Sequence, residues 1–570
     1  MFPLRINSTA AFLATKPIHI YPRSLFRGRI LTVESGQFLS SLKGSSRTLT
    51  QTASTSDDPF SDAAVRPYKT RTTPELINSM TVFTMCTMPG LVNAAPSMIE
   101  TAHKLGVSAP LNALIKATFF KHFCGGENLN EVLPTMHAFQ TAGIGSILDL
   151  AIEADLNAVS LSGAAAHDYA KNMVTNMKQS IDIASHQPES FIAVKITALF
   201  PPVLLQRWSN SLIHLKDAFC AADTDKDGLI DMKQFDSLKT TFPKLSEQST
   251  HLFATMDTDQ DGKVDWMDLT TAFSLLNVSN SRLLVVDQPT NKSSQLENQP
   301  ATMDDCDTAE LVMHEVDQLC EYTQLKNVKI MMDAEQTYFQ PAIDNIVLGL
   351  CRKWNPSTIK QMTESERAAG SKGPLIFNTY QMYLCDAYSR LERDLNHSAR
   401  MGYSFGVKLV RGAYMVSERE RAAELGIKDP IQPTILDTHA NYNRGVAFLI
   451  EKIKLAATNG SIKPISLVIA SHNKDSVRAA TKLMAKHGIA PNDGCIAFAQ
   501  LMGMQDGTAY ALVSHGFKTY KYIPYGPIEV TVPYLQRRAQ ENSSVIGGVG
   551  EDRRNVLSEL KIRMGLLRAK

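Results

Sequence analysis

Near the C-terminus, in "VPYLQRRAQENSS" (532–544), Tyr534, Arg537, Arg538 and Glu541 fall at i, i+3, i+4 and i+7. Helical spacing puts a ring, two guanidinium groups and a carboxylate on one face. Two adjacent guanidinium forks can grip a single carboxylate through several charge-assisted bonds. The same residues could also form an ordinary solvated face. What precedes them bears on the choice: "YKYIPYG" (520–526) is a run rich in aromatic residues that stops at Pro-Tyr-Gly, a strand feeding a turn.

Seven similar runs lie upstream: "GIGSILDLAIE" (143–153), "FIAVKITALF" (191–200), "NVKIMMDAEQ" (327–336), "PLIFNTYQ" (374–381), "YSFGVKLVRGAY" (403–414), "ISLVIASHN" (465–473) and "CIAFAQLMGM" (495–504). Most are followed by a helical stretch such as Lys474 to His487. Eight βα repeats make a (βα)8 barrel the economical topology, with a doubly wound open sheet as the alternative. In such barrels chemistry gathers at the C-terminal ends of the strands. Those ends carry Glu153, Lys195, Asp333, Glu335, Asn378, Gln381, Arg411, Tyr414, His472, Asn473 and Tyr522. Polar groups collected at one end of apolar strands are costly unless they serve a site or pair with one another.

Between the second and third strands the spacing breaks, with roughly 125 residues where a crossover needs far fewer. Here lie "DTDKDGLIDMKQ" (223–234) and "DTDQDGKVDWMD" (257–268), both matching the Asp-x-Asp-x-Asp-Gly core of an EF-hand loop. Oxygen ligands would come from Asp223, Asp225 and Asp227 and the Leu229 carbonyl in the first loop. In the second they would come from Asp257, Asp259 and Asp261 and the Lys263 carbonyl. Position 12, normally a bidentate Glu, is Gln234 in the first loop and the shorter Asp268 in the second. Gln234 predicts weak or no binding, and Asp268 suits Mg²⁺ as well as Ca²⁺. An EF-hand fold without useful metal affinity is the alternative.

The 570 residues are 44% hydrophobic, enough for a large core, and carry a net charge of +1, which offers no nucleic-acid surface. Eight cysteines without a Cys-x-x-Cys pair point to reduced thiols rather than a disulfide framework or zinc site. The first 56 residues hold seven Lys or Arg, many Ser and Thr, and one acid, Glu34. That is the composition of a mitochondrial transit peptide, the alternative being a tail that targets nothing. No stretch offers about 18 uninterrupted apolar residues, the nearest being Met80 to Ile99. The expected organisation is a leader (1–56), a helical region (57–140), the first barrel part (141–204), the EF-hand pair (205–280), a linker (281–307) and the remaining barrel with C-terminal helices (308–570).

Eight motifs in barrel order, "VKITALF", "MMDAEQTYFQPAI", "IFNTYQMYLCDAY", "KLVRGAYMVSERERA", "VIASHN", "FAQLMGM", "YKYIPYGP" and "YLQRRAQENSS", resemble the flavin-dependent proline dehydrogenases of mitochondria. The resemblance implies an α/β fold, a distorted (βα)8 barrel carrying FAD and here interrupted by the EF-hand pair. It implies that Arg537 and Arg538 bind the carboxylate of L-proline, with Lys195 completing the clamp. Glu153, Asp333 and Glu541 would hold these cations in place, and Tyr414, Tyr522, Tyr534, Ala413 and Leu501 would wall the ring. FAD contacts carried over from the family fall on Asn378 or Gln381, Lys408, Arg411, Gly412, His472 and Asn473. Bacterial relatives often carry Arg where Lys408 stands, and a Lys loses the planar fork.

The implied reaction moves a hydride from carbon 5 of proline to the flavin, giving Δ1-pyrroline-5-carboxylate. The amine must be neutral, so activity should rise with pH. Electrons would pass to quinone of the respiratory chain, with peripheral contact on the matrix side of the inner mitochondrial membrane. Relatives that prefer hydroxyproline tend to carry a smaller residue where Tyr522 stands, so the resemblance implies that this tyrosine closes the space for a hydroxyl and favours L-proline. A hydroxyproline dehydrogenase is one alternative. A calcium-responsive regulatory protein with an inactive barrel is the other, and the intact charged set argues against it.

Overall fold

The computed structural model describes residues 59–60, 66–69, 71–151, 161–286, 299–355, 373–456, 464–544 and 548–567. Ten strands run through these: β1 (Gly145–Leu150), β2 (Phe191–Val194), β3 (Leu229–Asp231), β4 (Lys263–Asp265), β5 (Lys329–Met332), β6 (Ile376–Gln381), β7 (Phe405–Val410), β8 (Ile465–Ala470), β9 (Ile496–Leu501) and β10 (Thr519–Tyr525). Eight of them close into one barrel in the order β1-β2-β5-β6-β7-β8-β9-β10, every neighbouring pair parallel. The open-sheet alternative is thereby excluded. The seam between β1 and β10 pairs Gly145 with Tyr520 through Leu150 with Tyr525. A Cβ on Gly145 would meet the Tyr520 ring at 2.4 Å, so this close approach requires glycine.

The barrel strands read as near-continuous apolar runs because both faces are covered. Inward-facing Ile147, Phe191, Ala193, Met331, Phe377, Val468, Ala497, Ala499 and Tyr520 pack into one interior cluster. Phe191 meets Phe377 and Tyr520 edge-on, with ring centroids 5.3 and 5.1 Å away. Outward-facing Val407, Leu409, Leu467, Ile469, Ile496 and Phe498 pack with helix residues such as Leu391, Tyr442 and Leu449. The helices start on local signals as well. Thr434 and Asp437 form a capping box at the start of Ile435–Leu455, and Asn473 caps Lys474–Lys486.

The strands are shorter than the apolar runs suggest. β2 stops at Val194 and the chain turns through Ile196–Ala198, and β5 stops at Met332. Lys195, Asp333 and Glu335 therefore stand just past strand ends, in the loops where the parallel ladder ends. On the outer face of β10, Lys521 is fully buried, pairing with Asp506 at 2.8 Å and donating to the Met504 carbonyl at 2.6 Å. Asp506 also holds Arg71 at 2.6 Å, tying the segment before helix Thr73–Cys86 to the loop after β9.

Residues 216–269 form a compact unit of their own. Within it β3 and β4 pair antiparallel, Ile230 opposite Val264, between short helices such as Met232–Asp236 and Ser249–Met256. Among the described residues no single helix is long and apolar enough to cross a membrane. Thr73–Cys86 and Pro89–Ala102 meet the criterion only together, bent by 93°. The leader 1–56 lies outside the described residues, as do residues 287–298 of the expected linker.

Phe191 fills the barrel interior, so Phe191→Ala should lower the free energy of unfolding by about 3–5 kcal/mol. Denaturant titration checks this against Leu311→Ala, at a site 39% exposed, which should change stability by no more than about 0.5 kcal/mol.

Candidate active site

Alternation along a strand decides which polar groups enter the barrel mouth. Asp149 shares a face with inward-facing Ile147, and Lys408 lies between the outward residues Val407 and Leu409. Lys195 donates from Nζ to Asp149 Oδ1 at 2.9 Å, both side chains buried. Lys408 ion-pairs with Asp333 Oδ1, while the Tyr522 hydroxyl donates to Asp333 Oδ2 at 2.7 Å. The Lys408 ammonium also lies 5.5 Å from the centre of the Tyr522 ring.

Environment separates these carboxyls. Burial pushes Asp333 up, but Lys408 and Lys195 outweigh it and hold the carboxyl below its ordinary value. At Asp149 burial prevails over Lys195 and the shift is upward. Glu335 is pushed up to about 7 by burial, although it accepts from the Thr197 amide at 3.1 Å and the Thr197 hydroxyl at 2.5 Å. Gln381 joins this cluster, donating to the Glu335 carbonyl at 2.7 Å and accepting from the Ala413 amide at 3.4 Å.

The arginine pair lies on helix Ile528–Ser544. Arg538 is 6% exposed, pairs with Glu541 at 2.5 Å, and lies 5.1 Å from the centre of the Tyr534 ring. Its Nε and the Tyr534 hydroxyl are buried without a hydrogen-bond partner among the described residues. Two donors left this way can take an acceptor beyond the described residues. Arg537 lies 5.7 Å from the centre of the Tyr414 ring, and Leu501 packs against the apolar cluster that contains Tyr534. Glu541 is raised by burial against the pull of Arg538 and Arg537. His472 accepts at Nε2 from the Leu501 amide, 3.0 Å away, which puts the neutral ring's proton on Nδ1. Burial, then Arg538, Lys521 and Arg411, depress it to about 3, so the ring is neutral at ordinary pH.

A second anion-seeking region adjoins the first. Arg411 donates to Ser471 and Ser476, each at 2.8 Å, and to His439 at 3.1 Å, while stacking 4.3 Å from the centre of the Tyr442 ring. No carboxylate partner of Arg411 appears among the described residues. Ser476 belongs to the first turn of helix Lys474–Lys486, so a guanidinium and a helix N-terminus meet there, a combination suited to phosphate. Gly412 has φ +145°, and a Cβ would lie 2.5 Å from the Tyr383 ring. Only glycine lets the backbone stay open beside this region.

Most of the residues expected in the barrel site stand at its mouth: Lys195, Asp333, Gln381, Lys408, Arg411, Gly412, Ala413, Tyr414, His472, Asn473, Leu501, Tyr522, Tyr534, Arg537, Arg538 and Glu541. Asn378 does not. It lies on the outer face of β6, donating to Asp344 at 3.2 Å, which in turn pairs with Arg390 at 2.6 Å. A one-residue step along a strand changes faces, and Gln381 is the member of that pair turned inward. Glu153 lies outside the described residues. Asp149, Ser471, Ser476 and His439 are additions. Asp149 was detectable as an acid two residues from Ile147 in "SILDL", whereas the serines and His439 carry no local signal.

In the separate 216–269 unit, Asp223, Asp225 and Asp227 bring ligand oxygens within 4.8 Å of one another, as do Asp257, Asp259 and Asp261. The position-12 side chains act as caps here. Gln234 accepts from the Asp231 amide at 2.9 Å, and Asp268 from the Asp265 amide at 2.8 Å.

A closed parallel barrel with buried cations and acids at the C-terminal strand ends defines an enzyme of the (βα)8 class. A family model described as proline dehydrogenase matches residues 132–550, and the chain belongs to that family. It is 31% identical over 557 residues to human "Proline dehydrogenase 1, mitochondrial", covering 88% of this chain and 89% of that protein. Bovine "Hydroxyproline dehydrogenase" is 29% identical, with 86% and 90% covered. A solved structure of proline utilization A from Bdellovibrio bacteriovorus aligns at a TM-score of 0.48 and 16% identity, over 85% of this chain and 39% of that one.

Glu335 sets a pH dependence of stability. Folded, it keeps its proton up to about 7, whereas the ordinary value is 4.5. The stabilisation from that proton is full below about 4.5 and is lost as pH rises through about 7. Glu335→Gln keeps the shape without the titration, so its stability relative to the parent should improve by roughly 2–3 kcal/mol between pH 4.5 and pH 8. Unfolding measured across this range checks it, and parallel curves would show that Glu335 does not titrate there.

Proposed function

We propose that this chain oxidises L-proline to Δ1-pyrroline-5-carboxylate with bound FAD, the first step of proline catabolism, and passes the electrons to quinone. The observation that carries the reading is Arg538, buried at the barrel mouth beside Tyr534 with its Nε lacking a hydrogen-bond partner among the described residues, in a member of the proline dehydrogenase family. Arg537 and Arg538 grip the substrate carboxylate, and Glu541 braces Arg538 until it arrives. Tyr522, Tyr534, Tyr414, Leu501 and Ala413 wall the apolar ring. Lys195 is already paired with Asp149 and acts as a fixed positive charge beside the clamp.

The donor set suits FAD. Arg411 and the N-terminus of helix Lys474–Lys486 would hold the pyrophosphate, Gly412 would admit it, and Gln381, Lys408, His472 and Asn473 would contact the remainder. Bound FAD supplies the hydride acceptor, and the protein supplies position, charge and dryness. The substrate nitrogen must be unprotonated for its lone pair to drive hydride loss, so turnover rises with pH as the amine loses its proton.

Tyr522 is held by its bond to Asp333, and on this reading its ring takes up the space that a hydroxyl on the substrate would need. This favours proline, with some leakage, because rejecting a hydroxyl by shape alone is worth only about 1–3 kcal/mol. The composition of residues 1–56 and the relatives named mitochondrial support action in the mitochondrion, and delivery of electrons to quinone would call for peripheral contact with the inner membrane on its matrix side. The two acidic loops are read as an EF-hand pair that takes Ca²⁺ or Mg²⁺, within the domain boundaries given above.

The experiment is an absorbance scan of purified protein before and after L-proline is added without oxygen. A flavin band near about 450 nm that bleaches with L-proline, and far less with hydroxyproline, is the expected result. Protein reconstituted with FAD that keeps its band in proline would overturn the reading.

A further inference from the structure

The two acidic loops differ in what already holds them. Position 7 of an EF-hand loop contributes its backbone carbonyl, leaving the side chain free to point elsewhere. In the first loop that residue is the uncharged Leu229, and in the second it is Lys263. The Lys263 ammonium reaches across the β3–β4 pair to the opposite loop, where its Nζ lies 2.6 Å from Asp227 Oδ2. Gln234, which would close the first loop, turns its amide nitrogen toward Asp225 Oδ1 and Thr224 Oγ1, 3.5 and 3.4 Å away. Side-chain donors thus already face two of the three carboxylates.

The third carboxylate is the one left short. Asp223 is 8% exposed, and its Oδ2 accepts from the Gly228 amide at 3.0 Å. Its Oδ1 is buried with no hydrogen-bond partner among the described residues. A ligand oxygen of this side chain lies within 4.8 Å of those from Asp225 and Asp227. Three carboxylates this close repel one another, and a buried oxygen without a donor is best satisfied by a cation. A single ammonium at the Asp227 edge supplies one charge and leaves Asp223 Oδ1 without a donor among the described residues.

We infer that Lys263 is a resident cation of the first loop, and that a divalent ion bound through Asp223, Asp225 and Asp227 must compete with it. The inference rests on the reading of the loops as divalent-cation sites. It makes the first site weak for a second reason besides Gln234, and it places part of that site's control in the other loop. The pair is exposed enough for water to screen it, with side chains 40% and 36% accessible, so competition is graded and salt-dependent.

The test uses the full chain, calcium chloride alone as probe, and equilibrium dialysis with radioactive calcium. Asp257→Asn with Asp259→Asn silences the second loop, so the remaining binding reports the first. In that background Lys263→Met should tighten calcium binding about five- to tenfold at low salt, and Lys263→Arg should leave it nearly unchanged. Adding Asp223→Asn to the Lys263→Met form should abolish the remaining binding. Calcium binding of equal strength with Lys or Met at 263 would overturn the competition while leaving the loops as cation sites. No binding by the parent or any variant, to calcium or magnesium, would overturn the cation-site reading and this inference with it.

Discussion

Positive charge packed into the mouth of an apolar barrel is the constraint on which the rest of this structure depends. Each buried charge costs several kcal/mol to desolvate unless a partner of opposite sign is close and well oriented. The chain meets that cost in pairs, Lys195 with Asp149, Lys408 with Asp333, and Arg538 with Glu541. Each pair joins two strand ends or two turns of one helix. Among the described residues the arrangement stops short of full satisfaction at Arg538 Nε, a donor that an anionic ligand can meet. A neutral His472 beside Arg538 adds no further positive charge.

The barrel exists to hold those pairs at fixed separations. Parallel pairing around all eight strands leaves no slack at the seam, where Gly145 gives way to the Tyr520 ring. On the outer wall Lys521 and Asp506 secure the loop that follows Leu501, and Arg71 extends the hold to the segment before helix Thr73–Cys86. The loop is gripped from the other side by His472, whose ring accepts from the Leu501 amide. On the proposed reading, in which Leu501 walls the substrate, a loop fixed at both ends needs little rearrangement to close on its ligand, which lowers the entropy cost of binding.

Much of this was legible in the sequence because covered parallel strands are apolar on both faces, and eight such runs between helical stretches permit few topologies. The arginine pair was legible through its helical spacing after the last strand. The strand ends were not, since "FIAVKITALF" stays apolar well beyond the point where Lys195 leaves the ladder. Between the alternatives Asn378 and Gln381 the apolar run itself gave no choice, because both faces are buried, and the structure turns Gln381 inward. Asp149 was passed over as the middle of a strand, although its parity with Ile147 marks it as inward. Ser471, Ser476 and His439 reach Arg411 from two elements, β8 with the helix after it and helix Ile435–Leu455, and no linear pattern encodes that meeting.

The central claim is that Arg538 stabilises the substrate through its carboxylate, and the most direct measurement separates that group from the ring. Steady-state kcat/KM is measured for the parent and Arg538→Met with L-proline and with pyrrolidine, which keeps the ring and lacks the carboxylate. The account predicts that Arg538→Met loses at least about 100-fold with L-proline, the worth of a buried charge-assisted contact, and only a few-fold with pyrrolidine. Equal losses on the two compounds would contradict it, because the arginine would then be supporting the barrel mouth rather than holding the substrate.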